Sequence, residues 1–262
     1  MIRSLYTGAT GMYAQQLNID NISNNLSNTN TTGFKKTQLQ FQDLLYQTID
    51  EAGMLTSSLT VRPVELTVGN GVKPVSTFKV FTQGNMENTG NPLDMAIEGD
   101  GFFQIRRGDG EMYYTRSGSF RVNDGGQLVP TDGYYLVPDI TLPADTEAIS
   151  ITLDGIIQAK LYNDTMPIEL GQMELARFIN PAGLKSIGGN RYQETTASGQ
   201  PMLGTPATND MGAIQQRYLE TSNVEIVEEM VNMIVAQRGY EVNSKTVRTA
   251  ESMLEIAVNL KR

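Results

Sequence analysis

From Ser222 to Leu260 the chain runs without a proline and with one glycine, Gly239. Val224, Val227, Val231, Val235, Arg238, Val242, Thr246, Thr249, Met253, Ile256 and Leu260 step at the period of an amphipathic helix, and all but Arg238, Thr246 and Thr249 are apolar. Ser222 and Glu225 have the spacing of a capping box. Glu225, Glu228 and Glu229 fall in the first turns and Lys261 and Arg262 close the last, the order that complements a helix dipole. Glu241 and Lys245 form an i,i+4 pair in the favoured orientation. Such a helix would be roughly 58 Å long at about 1.5 Å per residue.

The other end carries a second stripe. Ile2, Leu5, Ala9, Met12, Gln16, Ile19, Ser23 and Leu26 alternate spacings of three and four. Gly8 and Gly11 interrupt it, each costing about 1 kcal/mol relative to alanine in a helix. A helix with two such residues must gain its stability by packing, and glycine permits close approach. The run from Asn28 to Gly33 is turn chemistry, so the helix should end near Asn28, with Gly33 free to take a positive φ.

Between the ends the period changes. Strand-like Gly101–Ile105 and Met112–Thr115 flank Arg107-Gly108-Asp109-Gly110, and Ser119–Val122 and Gln127–Val129 flank Asn123-Asp124-Gly125-Gly126. Both read as hairpins. Short strands with regular turns predict a twisted antiparallel β domain rather than βαβ units. The stretch Tyr46 to Asn70 is irregular and reads as an ordered arm. The expected fold is α+β: terminal helices pairing as a coiled-coil stalk, a central mostly antiparallel β domain, and an extended arm. The boundaries are 1–33 for the N-terminal stalk helix, 34–70 for the arm, 71–217 for the β domain and 218–262 for the C-terminal stalk helix.

Chemistry is limited by what is missing. The chain has no His and no Cys, which removes the commonest bases, nucleophiles and soft metal ligands. Asp94, Glu98 and Asp100 could form a glycosidase-like carboxylate set, but a solvated loop accounts for them. Asn123-Asp124-Gly125 begins like a calcium loop and lacks its later ligands, so a hairpin turn fits better. Arg107-Gly108-Asp109 spells an adhesion tripeptide, and the same turn accounts for it. No catalytic, cofactor or metal residue is therefore expected. A net charge of −9 without a dense basic cluster excludes nucleic acid as a partner. No stretch is apolar enough for direct membrane insertion, and Thr7, Gln15, Gln16, Asn18 and Asp20 interrupt any signal-peptide core. Absence of cysteine also suits a chain exported unfolded.

Two arrangements would satisfy the stripes. The helices could pack as an ordinary pair on the β domain. Alternatively they pair with each other and then with copies of the same chain, and non-closing contacts of that kind build a filament. The residues expected to carry such a stalk are Leu5, Met12, Ile19, Ile22, Leu26, Val227, Val231, Val235, Ile256 and Leu260.

Asn24-Asn25-Leu26-Ser27-Asn28-Thr29-Asn30-Thr31-Thr32-Gly33-Phe34-Lys35 resembles the N-terminal motif of the flagellar rod, hook and hook-associated proteins. Glu220-Thr221-Ser222-Asn223-Val224 and Ala236-Gln237-Arg238-Gly239-Tyr240-Glu241-Val242-Asn243 resemble its C-terminal motif, with Gly239 where alanine is expected. The motif positions carried over are Asn24, Asn25, Gly33, Phe34, Lys35, Ser222, Asn223, Gln237, Arg238, Tyr240 and Asn243. The resemblance implies a structural subunit, not an enzyme, of the distal rod in the periplasmic basal body, forming a helical homopolymer that transmits torque. A proximal rod subunit is the alternative within the family, and a secreted carbohydrate-active β domain the alternative outside it. The implied partners are copies of itself, proximal rod and hook subunits, P and L ring proteins and the flagellar type III export apparatus. The resemblance implies no cofactor.

Overall fold

The structure, a computed structural model, describes residues 2–53, 55–57, 60, 61, 63–162, 166–208 and 210–259. It divides into two compact units, each assembled from separate stretches of chain. One comprises Met1–Leu26, Thr37–Phe78 and Glu225–Arg262; the other comprises Ser27–Lys36 and Lys79–Val224.

The first unit holds the two long helices, α1 (Ile2–Ser27) and α2 (Ile226–Asn259). α1 stops where the turn chemistry begins. α2 starts at Ile226, four residues after Ser222, whose Oγ instead accepts the Val224 N–H at 3.3 Å. The expected Ser222 capping box is therefore not the cap of this helix. Glu241 pairs with Arg238 at 2.9 Å, an i,i+3 contact in place of the expected pair with Lys245.

The two helices meet along their smallest residues. A Cβ on Gly8 would lie 2.8 Å from Val247 Cγ2, and one on Gly11 would lie 2.8 Å from Asn243 Nδ2. A Cβ on Gly239 would come within 3.3 Å of Gln15 Cδ, so glycine at this position leaves Gln15 its room. Rising numbers on α1 meet falling numbers on α2, so the helices run antiparallel. The buried line of α1 is Gly8, Ala14, Ile22 and Asn25, and that of α2 is Glu229, Ala236 and Ala250.

These lines are not the expected stripes. On α1, Ile2, Ala9, Gln16 and Ser23 are exposed, and Leu5, Met12, Ile19 and Leu26 are half-buried. The close-packed face lies beside the apolar one because backbones approach nearest where side chains are shortest. Gly11→Leu is expected to cost about 1–3 kcal/mol by overpacking this contact, read as a lower melting temperature of the helical circular-dichroism signal.

The segment expected as an arm carries paired strands. Thr37–Asp43 pairs with Val72–Lys79, Gln47–Asp50 with Leu66–Val68, and Leu55–Ser57 with Thr60–Val61. The ladders nest, each hairpin closing inside the one before it.

The second unit is β structure, and its pairings among the described residues are antiparallel, as the hairpin signals predict. Phe102–Arg106 is the central strand of a seven-stranded sheet. It is buried on both faces because successive side chains point to opposite sides. Phe103 joins Met95, Ile97, Phe120, Leu175 and Ile214 in the larger core. Phe102 joins Tyr114, Phe178 and Tyr192 in a smaller aromatic one, where Tyr114 meets Phe178 edge-on at 4.8 Å.

Candidate functional site

In the β unit, the stretches that lead out of α1 and into α2 are fastened around one buried cluster. Lys35 and Glu220 have fully buried side chains, and Arg116 is nearly so. Lys35 Nζ donates to Glu220 Oε1 at 2.5 Å and to the Thr82 carbonyl at 2.7 Å. Glu220 Oε1 also accepts the Gly84 N–H at 3.0 Å, and Arg116 Nη1 lies 3.7 Å from Glu220 Oε2. Arg116 Nη2 donates to the Gly99 carbonyl at 2.7 Å. One carboxylate thus balances two cations out of water. Burial pushes the Lys35 ammonium below its ordinary range, against the pull of Glu220, and burial lowers Arg116 in the same way.

The backbone around the cluster is equally tied. Gly33 N–H donates to the Glu220 carbonyl at 2.8 Å. Asn223 accepts the Lys36 N–H on Oδ1 at 2.7 Å, and its Nδ2 donates to the carbonyls of Val80 and Thr82. Phe34 is buried, with the Lys79 ammonium 4.6 Å from its ring centroid. Gly33 has φ +69°, and a Cβ there would lie 2.6 Å from Ser117 N. Gly33→Ala is expected to lose about 2–3 kcal/mol from strain and collision together, read by denaturant unfolding of the full chain.

Asn25 does a related task in the helical unit. Its Oδ1 accepts the Thr37 N–H and its Nδ2 donates to the Thr37 carbonyl, both at 2.9 Å, so the amide stands in for a neighbouring strand. Of the other motif positions, Asn243 faces Gly11, Ser222 is buried, and Asn24, Gln237, Arg238 and Tyr240 are exposed. Arg116 and Glu220 were not among the expected site residues. Glu220 opens the C-terminal motif, but nothing local marks either residue as buried or paired, because their burial depends on residues far away in sequence.

The stalk residues divide. Ile22 is buried, but Val227, Val231, Val235 and Ile256 lie on the exposed side of α2. Leu260 lies outside the described residues. The exposed residues form a pattern of their own: Ile226, Val227, Met230, Val231, Ile234 and Val235 recur at i, i+1, i+4, i+5, i+8 and i+9. α2 therefore has a small-residue face already occupied and an aliphatic face that is open, with Val231 54% exposed.

The residues considered for chemistry have structural roles. Asp94 is buried rather than solvated, accepting from Thr89 Oγ1 at 2.7 Å and Asn91 Nδ2 at 2.9 Å. That corrects the solvated-loop reading at this position. Glu98 accepts from Gln215 Nε2 at 2.9 Å. Arg107 and Asp109 pair with each other across their turn at 3.4 Å. Asn123 closes its own hairpin by accepting the Gln127 N–H on Oδ1 at 2.8 Å. Among the described residues no helix is long and apolar enough to cross a membrane.

Comparison with known proteins agrees with this picture. Residues 5–35 match the flagella basal body rod protein family. Residues 96–159 match the D1 domain of the flagellar hook protein FlgE/F/G family, and residues 215–260 match the C-terminal region of the flagellar basal body rod FlgEFG family. The chain is 50% identical to the flagellar basal-body rod protein FlgG of Borreliella burgdorferi over the full length of both. It is 48% identical to FlgG of Buchnera aphidicola from Acyrthosiphon pisum, over 97% of this chain and 98% of that one. It is 38% identical to FlgG of Bacillus subtilis over the full length of both.

Proposed function

This chain belongs to the family of flagellar basal-body rod proteins, a structural subunit of the basal-body rod and not an enzyme, and we propose that it builds the distal rod by stacking copies through the open face of α2. The observation that carries this reading is the two-faced character of α2. One face is spent on α1, while the other presents a continuous aliphatic row to water. Covering that row in a second copy gains about 25 cal/mol per Å² of apolar surface. The helix pair becomes the coiled-coil stalk of the polymer when neighbours complete it. A contact between unlike patches that does not close on itself propagates as a helix.

The nested ladders of residues 37–78 supply the second contact. Leu45 is 90% exposed, and Phe41, Tyr46, Ile49, Val64, Leu66 and Val75 are also open to solvent. This is the arm that stiffens the shaft against a neighbouring subunit. Full-length similarity to proteins named FlgG supports the distal position over a proximal one. In that position the shaft meets proximal rod and hook subunits at its ends and the P and L rings around it, after delivery by the flagellar type III apparatus.

The test is sedimentation of the full chain at rising concentration, with amide exchange on the free and associated forms. Large species in which residues 226–235 gain protection are expected. A chain that stays monomeric at millimolar concentration, with unchanged exchange along α2, would sink the reading.

A further inference from the structure

We propose that Met230 is a peroxide-sensitive modification site that controls whether a free subunit can join the polymer. This rests on the assembly reading above. Met230 is 51% exposed and sits in the middle of the open aliphatic face, with Ile226 and Val227 one turn before it and Ile234 one turn after. Its thioether is accessible in the free chain and belongs to the surface that a second copy must cover.

The chain offers no thiol to intercept an oxidant, since it contains no cysteine. Oxidation then falls on its thirteen methionines according to their exposure. Met95 and Met173 are fully buried and shielded. Met166, Met202 and Met253 are open, but none lies in the aliphatic row of residues 226–235. With a hydroperoxide, the sulfur lone pair attacks the terminal peroxide oxygen. The O–O bond breaks, an S–O bond forms and water leaves when hydrogen peroxide is the oxidant. Sulfur loses two electrons and the peroxide gains them. The product is a polar sulfoxide in place of a flexible apolar side chain.

A sulfoxide on this face would have to enter an apolar contact without a donor for its oxygen, which opposes docking. Once a neighbour covers the row, the same thioether is closed to oxidant. Oxidation therefore discriminates by state: it disables subunits awaiting incorporation and spares those already incorporated.

The test follows self-association of the full chain by sedimentation, before and after hydrogen peroxide, with oxidation at each methionine read by peptide mass spectrometry. The untreated chain should associate, and oxidation at Met230 should weaken association about tenfold or more. Met230→Leu keeps an apolar side chain at this position without an oxidisable sulfur, so whatever its starting association, that association should not change on peroxide treatment. Met230→Gln should behave like the oxidised chain. Polymer formed first and treated afterwards should show Met230 protected and Met95 and Met173 unreacted. Undiminished association with Met230 fully oxidised would overturn the inference. So would an equal loss in peroxide-treated Met230→Leu, or equal oxidation of Met230 in polymer and free chain. Failure of the untreated chain to associate would instead remove the assembly reading beneath it.

Discussion

Val231→Asp is expected to abolish self-association while leaving the melting of the β unit unchanged. Val231 is in the middle of the open row on α2, with its side chain in water in the free subunit. An aspartate there costs the monomer little beyond a small loss of helix propensity. In the polymer it would be a carboxylate taken out of water with no partner. Such a charge costs about 3–5 kcal/mol. That weakens each contact by roughly 10² to 10⁴, and a filament repeats the contact at every subunit. Sedimentation would show monomer alone at concentrations where the unmodified chain polymerises. A circular-dichroism melt would show the β transition at its original temperature. Polymers of normal length from Val231→Asp would mean that another face carries assembly.

Glu220→Gln has the opposite character, since its effect is expected within the monomer. The carboxylate is fully buried and is the counter-charge for both Lys35 and Arg116. Its removal leaves two cations out of water with carbonyls for company. The expected loss is about 3–5 kcal/mol, or a melting temperature lower by roughly 10 °C. The double variant Lys35→Met with Glu220→Gln separates charge from shape. It removes one stranded cation with the carboxylate, so it should recover a substantial part of the loss. If the double variant fell as far as the sum of the two single ones, the ion pair would not be what couples these residues.

The parts of this fold written locally could be read from the sequence. A period near 3.6 announces α1 and α2, and the glycine-centred turns at residues 107–110 and 123–126 announce their hairpins. Gly33 takes the positive φ that its turn demands. Which face of a helix is spent inside the subunit could not be read this way. An apolar row such as Val227, Val231 and Val235 signals burial without naming the partner, and a line such as Gly8, Gly11 and Ala14 looks like weakness until a second helix lies on it. The buried cluster was equally hidden. Lys35 looks like a surface lysine, and only the arrival of Glu220 explains it.

That spacing has a consequence for timing. Lys35 and Glu220 are 185 positions apart, and closing so long a loop in an otherwise unfolded chain opposes contact by about 5 kcal/mol. Neither unit is continuous in sequence, and the chain passes from one to the other four times, after residues 26, 36, 78 and 224. A chain that emerges from its N-terminus first can form single hairpins as it goes. It cannot fasten the segment at Lys35 until nearly everything has emerged, nor give α1 its partner until α2 follows. The topology thus postpones both closures to the last stage of synthesis, so neither unit is complete while the chain is still emerging, and each closes only when the C-terminal segment has followed.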